Sequence, residues 1–318
     1  MAPDTASPMN EDQLAGWHRA LPNGKHISAL GFGCASIWSK PEFADSEALA
    51  ILEALMDEGI NHFDTSPSYG VGCGERRLGA FLAGRDVSSL VISTKVGTNL
   101  INGNIVRGFT ADLMERSFAD SLERLGLDKV DILYLHGPRK EDIRPESPVF
   151  DFFDRQKRLG RITYSGVNSF DPALLDLVAE LPIDAVMLQY NVGDFRNAAQ
   201  VVRLHAAGKV VMSGTVLARA KFDFSTFIPK DRRAFWYLLR MMRNEPLFVW
   251  NGLKLARRLA ATGKDPVEAA IQFAVSHPQI LSHLFGTSKI GHARANARAG
   301  HGRLTPDMRR CLDLANAR

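Results

Sequence analysis

Eight short apolar runs, each giving way to a segment with helical spacing, constrain this chain more than any other feature. The runs occupy 29–34, 60–64, 90–95, 130–136, 161–167, 185–189, 209–212 and 280–285. Between and after them lie helical patterns with recognisable ends. The segment 46–58 stops at Gly59, as helices commonly stop at glycine. Another opens near Gly74. A third is capped by Thr110 and sets Phe118, Leu122 and Leu125 on one face. The segment 149–159 stops at Gly160. Asp171-Pro172 places proline at a first helical position. The segment 196–207 closes at Gly208, Asp265 with Glu268 reads as a capping box for 265–276, and 289–299 follows the eighth run. Thr305-Pro306 begins a last helix. Strand then helix, eight times over, predicts a parallel α/β barrel. The expectation is one (β/α)8 TIM barrel domain over 17–318, preceded by a disordered tail at 1–16. An N-terminal β-hairpin is expected around Asn23-Gly24, the strongest short hairpin signal.

Composition narrows the class of function. Hydrophobic residues make up 45% and charged residues 23%, ordinary for a globular protein with a large core. The net charge of +4 comes from scattered Lys and Arg with no run of five, so a nucleic-acid surface is not expected. A small positive excess does suit an anionic ligand. No run of 18 apolar residues is present, so no membrane span is expected. Cys34, Cys73 and Cys311 are odd in number and far apart. They suggest neither a disulfide framework nor a zinc site, and a reducing, cytoplasmic setting is expected. Oligomeric state leaves no mark on the sequence. The segment 222–246 is rich in aromatic and basic residues. It reads as an extra helix packed against the barrel, with a lid or partner surface as the alternative reading.

Chemistry-bearing residues gather at the ends of the runs. The stretch 61–79 reads NHFDTSPSYGVGCGERRLG: a strand ending in Asp64, then a loop with Tyr69. VISTK ends in Lys95 and ILYLH in His136. Asn168, Gln189, Gly214 and Gly286 also fall at or just after strand ends. In a parallel barrel those ends form one active face. Singly, Asp64 reads as a helix cap, Lys95 as a solvated charge and His136 as a satisfied buried histidine; together they read as a site. Gly31-x-Gly33 is not a dinucleotide fingerprint, because no helix opens at its last glycine.

DTSPSYG with Glu75 and LG, then STK, then YLH, in this order, resembles the aldo-keto reductases over about 30–299, and the aldose-dehydrogenase side of that family in particular. The resemblance implies a barrel plugged by the N-terminal hairpin and a catalytic tetrad of Asp64, Tyr69, Lys95 and His136. It implies hydride transfer between a nicotinamide cofactor and a small carbonyl compound or sugar. A free phenol has a pKa of about 10. A Lys95 ammonium at ~4 Å, in an effective dielectric of about 20, would lower it by up to roughly three pKa units before opposing effects. Tyr69 is then the proton donor, Lys95 its modulator, Asp64 the support for Lys95, and His136 the hydrogen-bond donor to the carbonyl. Gly33, Asp64, Asn168, Ser169, Gln189, Gly214, Thr215, Leu217, Gly286, Thr287, Ser288, Lys289, His292 and Asn296 are the implied cofactor-binding positions. Trp38, Tyr69, His136 and Gly137 are the implied substrate-binding ones.

Three departures from the family pattern matter. GVNSF has Asn168 before Ser169, the reverse of the commoner order. Gly214 stands where many members stack an aromatic ring on the nicotinamide. Gly137 stands where many have tryptophan. Around the eighth strand end Gly286 replaces a usual lysine and His292 a usual arginine, while Thr287, Ser288 and Lys289 retain hydroxyls and a charge. NADP(H) is therefore expected ahead of NAD(H). The alternative is a cofactor-binding regulatory barrel of the potassium-channel β-subunit type. A metal-dependent barrel hydrolase is disfavoured because no His-x-His pair occurs.

Overall fold

The computed structural model describes residues 16–217, Trp236, Leu239, Arg243 and 248–312. The expected tail up to residue 15 and most of 222–246 lie outside the described residues. The chain opens with an antiparallel pair, β1 (His18–Ala20) and β2 (His26–Ser28). The barrel follows: β3 (Leu30–Gly33), α1 (Asp45–Asp57), β4 (His62–Asp64), α2 (Cys73–Leu82) and β5 (Val91–Val96). A second hairpin, β6 (Thr98–Ile101) with β7 (Asn104–Arg107), precedes α3 (Ala111–Leu125). Then come β8 (Val130–His136), α4 (Pro148–Arg158), β9 (Ile162–Asn168), α5 (Pro172–Val178), β10 (Ala185–Gln189), α6 (Ala198–Ala206) and β11 (Val210–Gly214). Past the undescribed stretch lie α7 (Phe248–Ala260), α8 (Pro266–Val275), β12 (Ser282–Phe285), α9 (Ile290–Ala299) and α10 (Pro306–Cys311).

Eight strands close a parallel barrel in the order β3-β4-β5-β8-β9-β10-β11-β12, with β12 returning to β3 through His283 and Leu30. The predicted (β/α)8 fold is the fold observed, and strands 130–136 and 185–189 have the predicted bounds.

Strand alternation sorts the side chains. On β4, Phe63 faces the helices and joins the outer core with Leu78 and Phe81, while His62 and Asp64 face inward. On β8, Leu133 and Leu135 face outward and Ile132 and Tyr134 inward. The inner core is sealed from below by the first hairpin, whose Leu21 and Ile27 pack with Val91, Ile132 and Tyr164. Arg19 ties that plug in place by donating to the carbonyls of Ile280 and Val275. Gly31 has a steric reason to be glycine. A Cβ there would lie 2.6 Å from His62 Nδ1, and its absence lets His62 reach Ser282 Oγ at 2.9 Å across the barrel.

Two predicted helix caps hold: Asp171 accepts from Ala173 N, and Asp265 accepts from Val267 N and Glu268 N. Two are corrected. Thr110 occupies the cap position of α3 without a side-chain cap bond. Glu268 does not complete a capping box, because its carboxylate is drawn to Lys264 Nζ at 2.5 Å and Gln272 Nε2 at 2.8 Å. Helix α7 and the β6–β7 hairpin went unanticipated. Cys34, Cys73 and Cys311 are free. No described helix is long and apolar enough to cross a membrane.

Burial, the largest cause, drives several histidines toward the neutral form. His62 and His136 are lowered to about 3, His277 to about 4, and His283 falls well below its usual value. Above pH 6.5 these rings are neutral whether folded or unfolded. Below it the unfolded chain binds protons that the native barrel refuses, so stability falls with pH until about pH 4 to 3. Each refused proton costs about 1.4 kcal/mol per pH unit. Urea midpoints should decline steeply from pH 6.5 to 4. His62→Asn should make that decline shallower by about one proton, and a flat profile would refute the linkage.

Candidate active site

The carboxyl ends of the strands carry the polar cluster. Register sets it: Gly33 pairs with Asp64, Asp64 with Ser93, and His136 with Asn168. Lys95 lies one inward position above Ser93. Its Nζ sits 2.5 Å from Asp64 Oδ2 and 2.7 Å from the Thr65 carbonyl. Asp64 Oδ1 accepts from Ser93 Oγ at 2.7 Å. Both charges are thus hydrogen-bonded as well as paired, the condition under which a buried ion pair is tolerated.

Tyr69 comes from the loop between β4 and α2. Gly70 permits the turn behind it: its φ is +58°, and a Cβ there would collide with the Ser39 carbonyl. The Lys95 ammonium is 4.9 Å from the Tyr69 ring centroid, and the His136 ring meets Tyr69 edge-on at 6.1 Å. Asp64, Tyr69, Lys95 and His136, 72 residues apart at the extremes, form one contiguous group.

The electrostatics correct one expectation. Burial raises the Tyr69 phenol above its ordinary pKa, and the Lys95 ammonium only partly offsets this, with Asp64 opposing it. The phenol is therefore held protonated rather than poised near neutrality. Burial alone would lower Lys95, but Asp64 and then Tyr69 outweigh it and the ammonium pKa is raised. Burial likewise raises Asp64, and Lys95 restrains the rise. His136 is uncharged at neutral pH through burial, assisted by Lys95 and Arg107. Its Nδ1 lies 2.7 Å from Thr98 Oγ1 on the second hairpin.

Above the cluster opens a cavity of about 580 Å³, within the range of small-molecule and cofactor sites. Asp64, Tyr69, His136 and Asn168 line its floor, and Lys95 lies just beneath. Gly33, Gly214, Thr215, Leu217 and Gly286 line one side. A Cβ built at Gly214 meets nothing within 4 Å, so this glycine leaves a side-chain volume open. Thr287, Ser288, Lys289 and His292 line the far end, around the start of α9. Ser36 and Thr215, both on the wall, are non-glycine residues with φ of +56° and +60°. Strain of this kind concentrates at functional sites.

Other predicted positions stand elsewhere. Gln189 is turned aside, donating to Asp194 Oδ2 at 2.8 Å. Ser169 Oγ accepts from Asp171 N at the start of α5. Asn296 is buried behind the wall on α9. The Gly137 carbonyl accepts from Arg107, and Gly137 is off the cavity lining. Trp38 lines the cavity but is 1% exposed, its indole donating to Ala48 O and its ring edge-on to Phe32. The exposed apolar wall is instead Ile37 and Phe170, which sequence reasoning missed, as it missed Thr98. Glu75 of the motif is fully buried and structural. It accepts from Thr94 Oγ1 at 2.6 Å and Arg124 Nε at 2.7 Å, locking α2 to β5 and α3.

A (β/α)8 barrel with its polar and strained residues gathered at the carboxyl ends of the strands, around an open cavity, has the layout of a barrel enzyme. The sequence model of the aldo/keto reductase family matches residues 29–316, and the chain belongs to that family of NAD(P)-dependent oxidoreductases acting on carbonyl and alcohol groups. It is 35% identical over 306 residues to D-threo-aldose 1-dehydrogenase of a Pseudomonas species, a match spanning 87% of this chain and 91% of that protein. It is 27% identical over 295 residues to L-galactose dehydrogenase of Arabidopsis thaliana, spanning 88% and 87%. Among solved structures, an aldo-keto reductase from Bacillus halodurans in its holo form superposes with a TM-score of 0.77 at 25% identity, covering 95% of this chain and 97% of that one.

Lys95→Met should leave Asp64 buried without its partner and destabilise the barrel by about 3–5 kcal/mol. Adding Asp64→Asn should recover part of that loss, because the stranded charge is removed. Urea unfolding of both variants reads this directly, and an additive double mutant would refute the coupling.

Proposed function

We propose that the protein interconverts an aldose or small aldehyde with the corresponding lactone or alcohol, using Tyr69 as the proton donor and acceptor and NADP(H) as the preferred cofactor. The observation carrying this reading is the contact of Tyr69 with both the Lys95–Asp64 pair and His136 on the floor of the open cavity. Similarity to two sugar dehydrogenases supports the substrate class. The cavity suits a dinucleotide. Glycines at 33, 214 and 286 leave the strand ends bare, and the N-terminus of α9, with its free N–H groups, fits a phosphate.

In this reading Gly33, Asp64, Asn168, Gly214, Thr215 and Leu217 hold the nicotinamide half, with Ser169 next to Asn168 and Gln189 next to Gly214. Gly286, Thr287, Ser288, Lys289 and His292 hold the adenosine phosphate, with Asn296 close behind. The bound cofactor supplies or takes the hydride, which no side chain can do. The protein's own contribution is to the proton and the charge. Tyr69, protonated at neutral pH, gives its proton to the nascent alkoxide. Lys95 stabilises the phenolate left behind, and Asp64 holds Lys95 charged and aimed. His136, neutral, donates a hydrogen bond to the carbonyl oxygen. Ile37 and Phe170, with Trp38 behind them, enclose the substrate end.

Tyr69→Phe should abolish turnover while leaving cofactor affinity within a few-fold; a variant keeping much of the wild-type kcat would sink the assignment. In the wild type the raised phenol pKa sets the pH response. Reduction needs the protonated phenol and should persist into alkaline pH, while oxidation needs the phenolate and should climb as pH rises. Profiles of the opposite sense would exclude Tyr69. Lys289→Ala should weaken NADPH by about 1.5–3 kcal/mol, the worth of a charge-assisted hydrogen bond, and leave NADH nearly unchanged. Fluorescence titration with both cofactors decides this, and equal losses would overturn the NADP(H) preference.

A further inference from the structure

His136 can serve as a donor only if the right ring nitrogen carries the proton. Its Nδ1 is 2.7 Å from Thr98 Oγ1 and 3.4 Å from Ser66 Oγ. A threonine hydroxyl has one proton to place. Were Nδ1 protonated, it would donate to Thr98, whose own proton would need another acceptor. The next one, Ser68 Oγ, is 3.5 Å away, at the limit of a hydrogen bond. With Nδ1 bare, the Thr98 proton points to it at an ordinary O–H···N length. Ser66 and Ser68, 2.9 Å apart, share one hydrogen bond, and Ser66 Oγ also accepts from Ser68 N at 3.3 Å.

Thr98 is well anchored for this task. It begins the β6–β7 hairpin, whose base is pinned by Asn99: Oδ1 accepts from Gly97 N at 3.0 Å and Nδ2 donates to Gly108 O at 3.0 Å. From the other strand Arg107 donates to the carbonyl of Gly137, next to His136. The hairpin therefore grips both the strand that carries Lys95 and the strand that ends in His136.

We propose that Thr98 is a positioning residue that fixes His136 as the Nε2–H tautomer, so that the ring presents a donor into the cavity. The proposal rests on the reading of His136 given above, and the tautomer can be observed without turnover. In the full chain labelled with ¹⁵N-histidine, the resonances lost in His136→Gln identify the ring. The wild type should show a bare Nδ1 and a protonated Nε2. Thr98→Val should give a mixture of tautomers and lower the kcat of aldehyde reduction at least about tenfold, as loss of an aimed donor does, with the Kd for NADPH unchanged. Thr98→Ser should restore both. A protonated Nδ1 in the wild type would overturn the proposal. So would a Thr98→Val protein with wild-type tautomer and kcat, or a Thr98→Ser protein that behaves like the valine variant. If Thr98→Val fails to fold, the wild-type and serine spectra decide. A correct tautomer in a protein without turnover would count against the catalytic reading and leave this one standing.

Discussion

The Lys95–Asp64 contact is the interaction on which the rest of the site depends. Two opposite charges are held within the barrel mouth, where neither is stable alone. Their burial makes the geometry strict. The carboxylate needs Ser93, the ammonium needs the Thr65 carbonyl, and both demands fix the strand register at β4 and β5. Tyr69 then has a stationary cation beneath it. A more exposed pair would be screened and mobile, and its effect on a neighbouring phenol correspondingly small.

The same enclosure raises the phenol pKa instead of lowering it. Enclosing Tyr69 closely enough to feel Lys95 also removes the water that would stabilise a phenolate. The resting phenol is thus held in its protonated form. In the proposed reaction the electrostatic advantage of Lys95 comes when the phenolate forms, since that is when the charge it stabilises exists. This is preorganised stabilisation of developing charge.

Outside the tetrad, the barrel spends its specialised residues on access and support. Gly31 yields its space to His62, and Gly214 leaves a volume open beside the floor. Glu75 and Arg124 bind α2 to α3, so the loop that carries Tyr69 departs from a fixed helix. The β6–β7 hairpin, an insertion on the barrel, reaches back to His136 and to the residue after it.

The fold was legible in the sequence because strand and helix alternate eight times and because local end signals, such as Asp171-Pro172 and Asp265-Pro266, act over a few residues. The four-residue cluster was legible because strand ends in a parallel barrel converge whatever the intervening chain does. The β6–β7 hairpin also had its mark, Asn102-Gly103, both with positive φ, a signal identical in kind to Asn23-Gly24. Its strands β6 and β7 carry two large apolar residues each, but Ile105 and Val106 are exposed, so the pair does not show the alternation of a core-facing hairpin. What the sequence could not contain is the outcome of competition between distant groups. Gln189 lies at its predicted strand end, yet Asp194 takes its amide. Glu268 follows Asp265 at capping-box spacing, yet Lys264 and Gln272 take its carboxylate. Trp38 turns inward to Ala48 and leaves the exposed apolar wall of the cavity to Ile37 and Phe170. Whether Lys95 or burial governs the Tyr69 phenol is a contest of two opposed effects, each set by packing across the barrel mouth. Residue identity and spacing determined which groups could meet; only the packed tertiary structure decided which partner each one took.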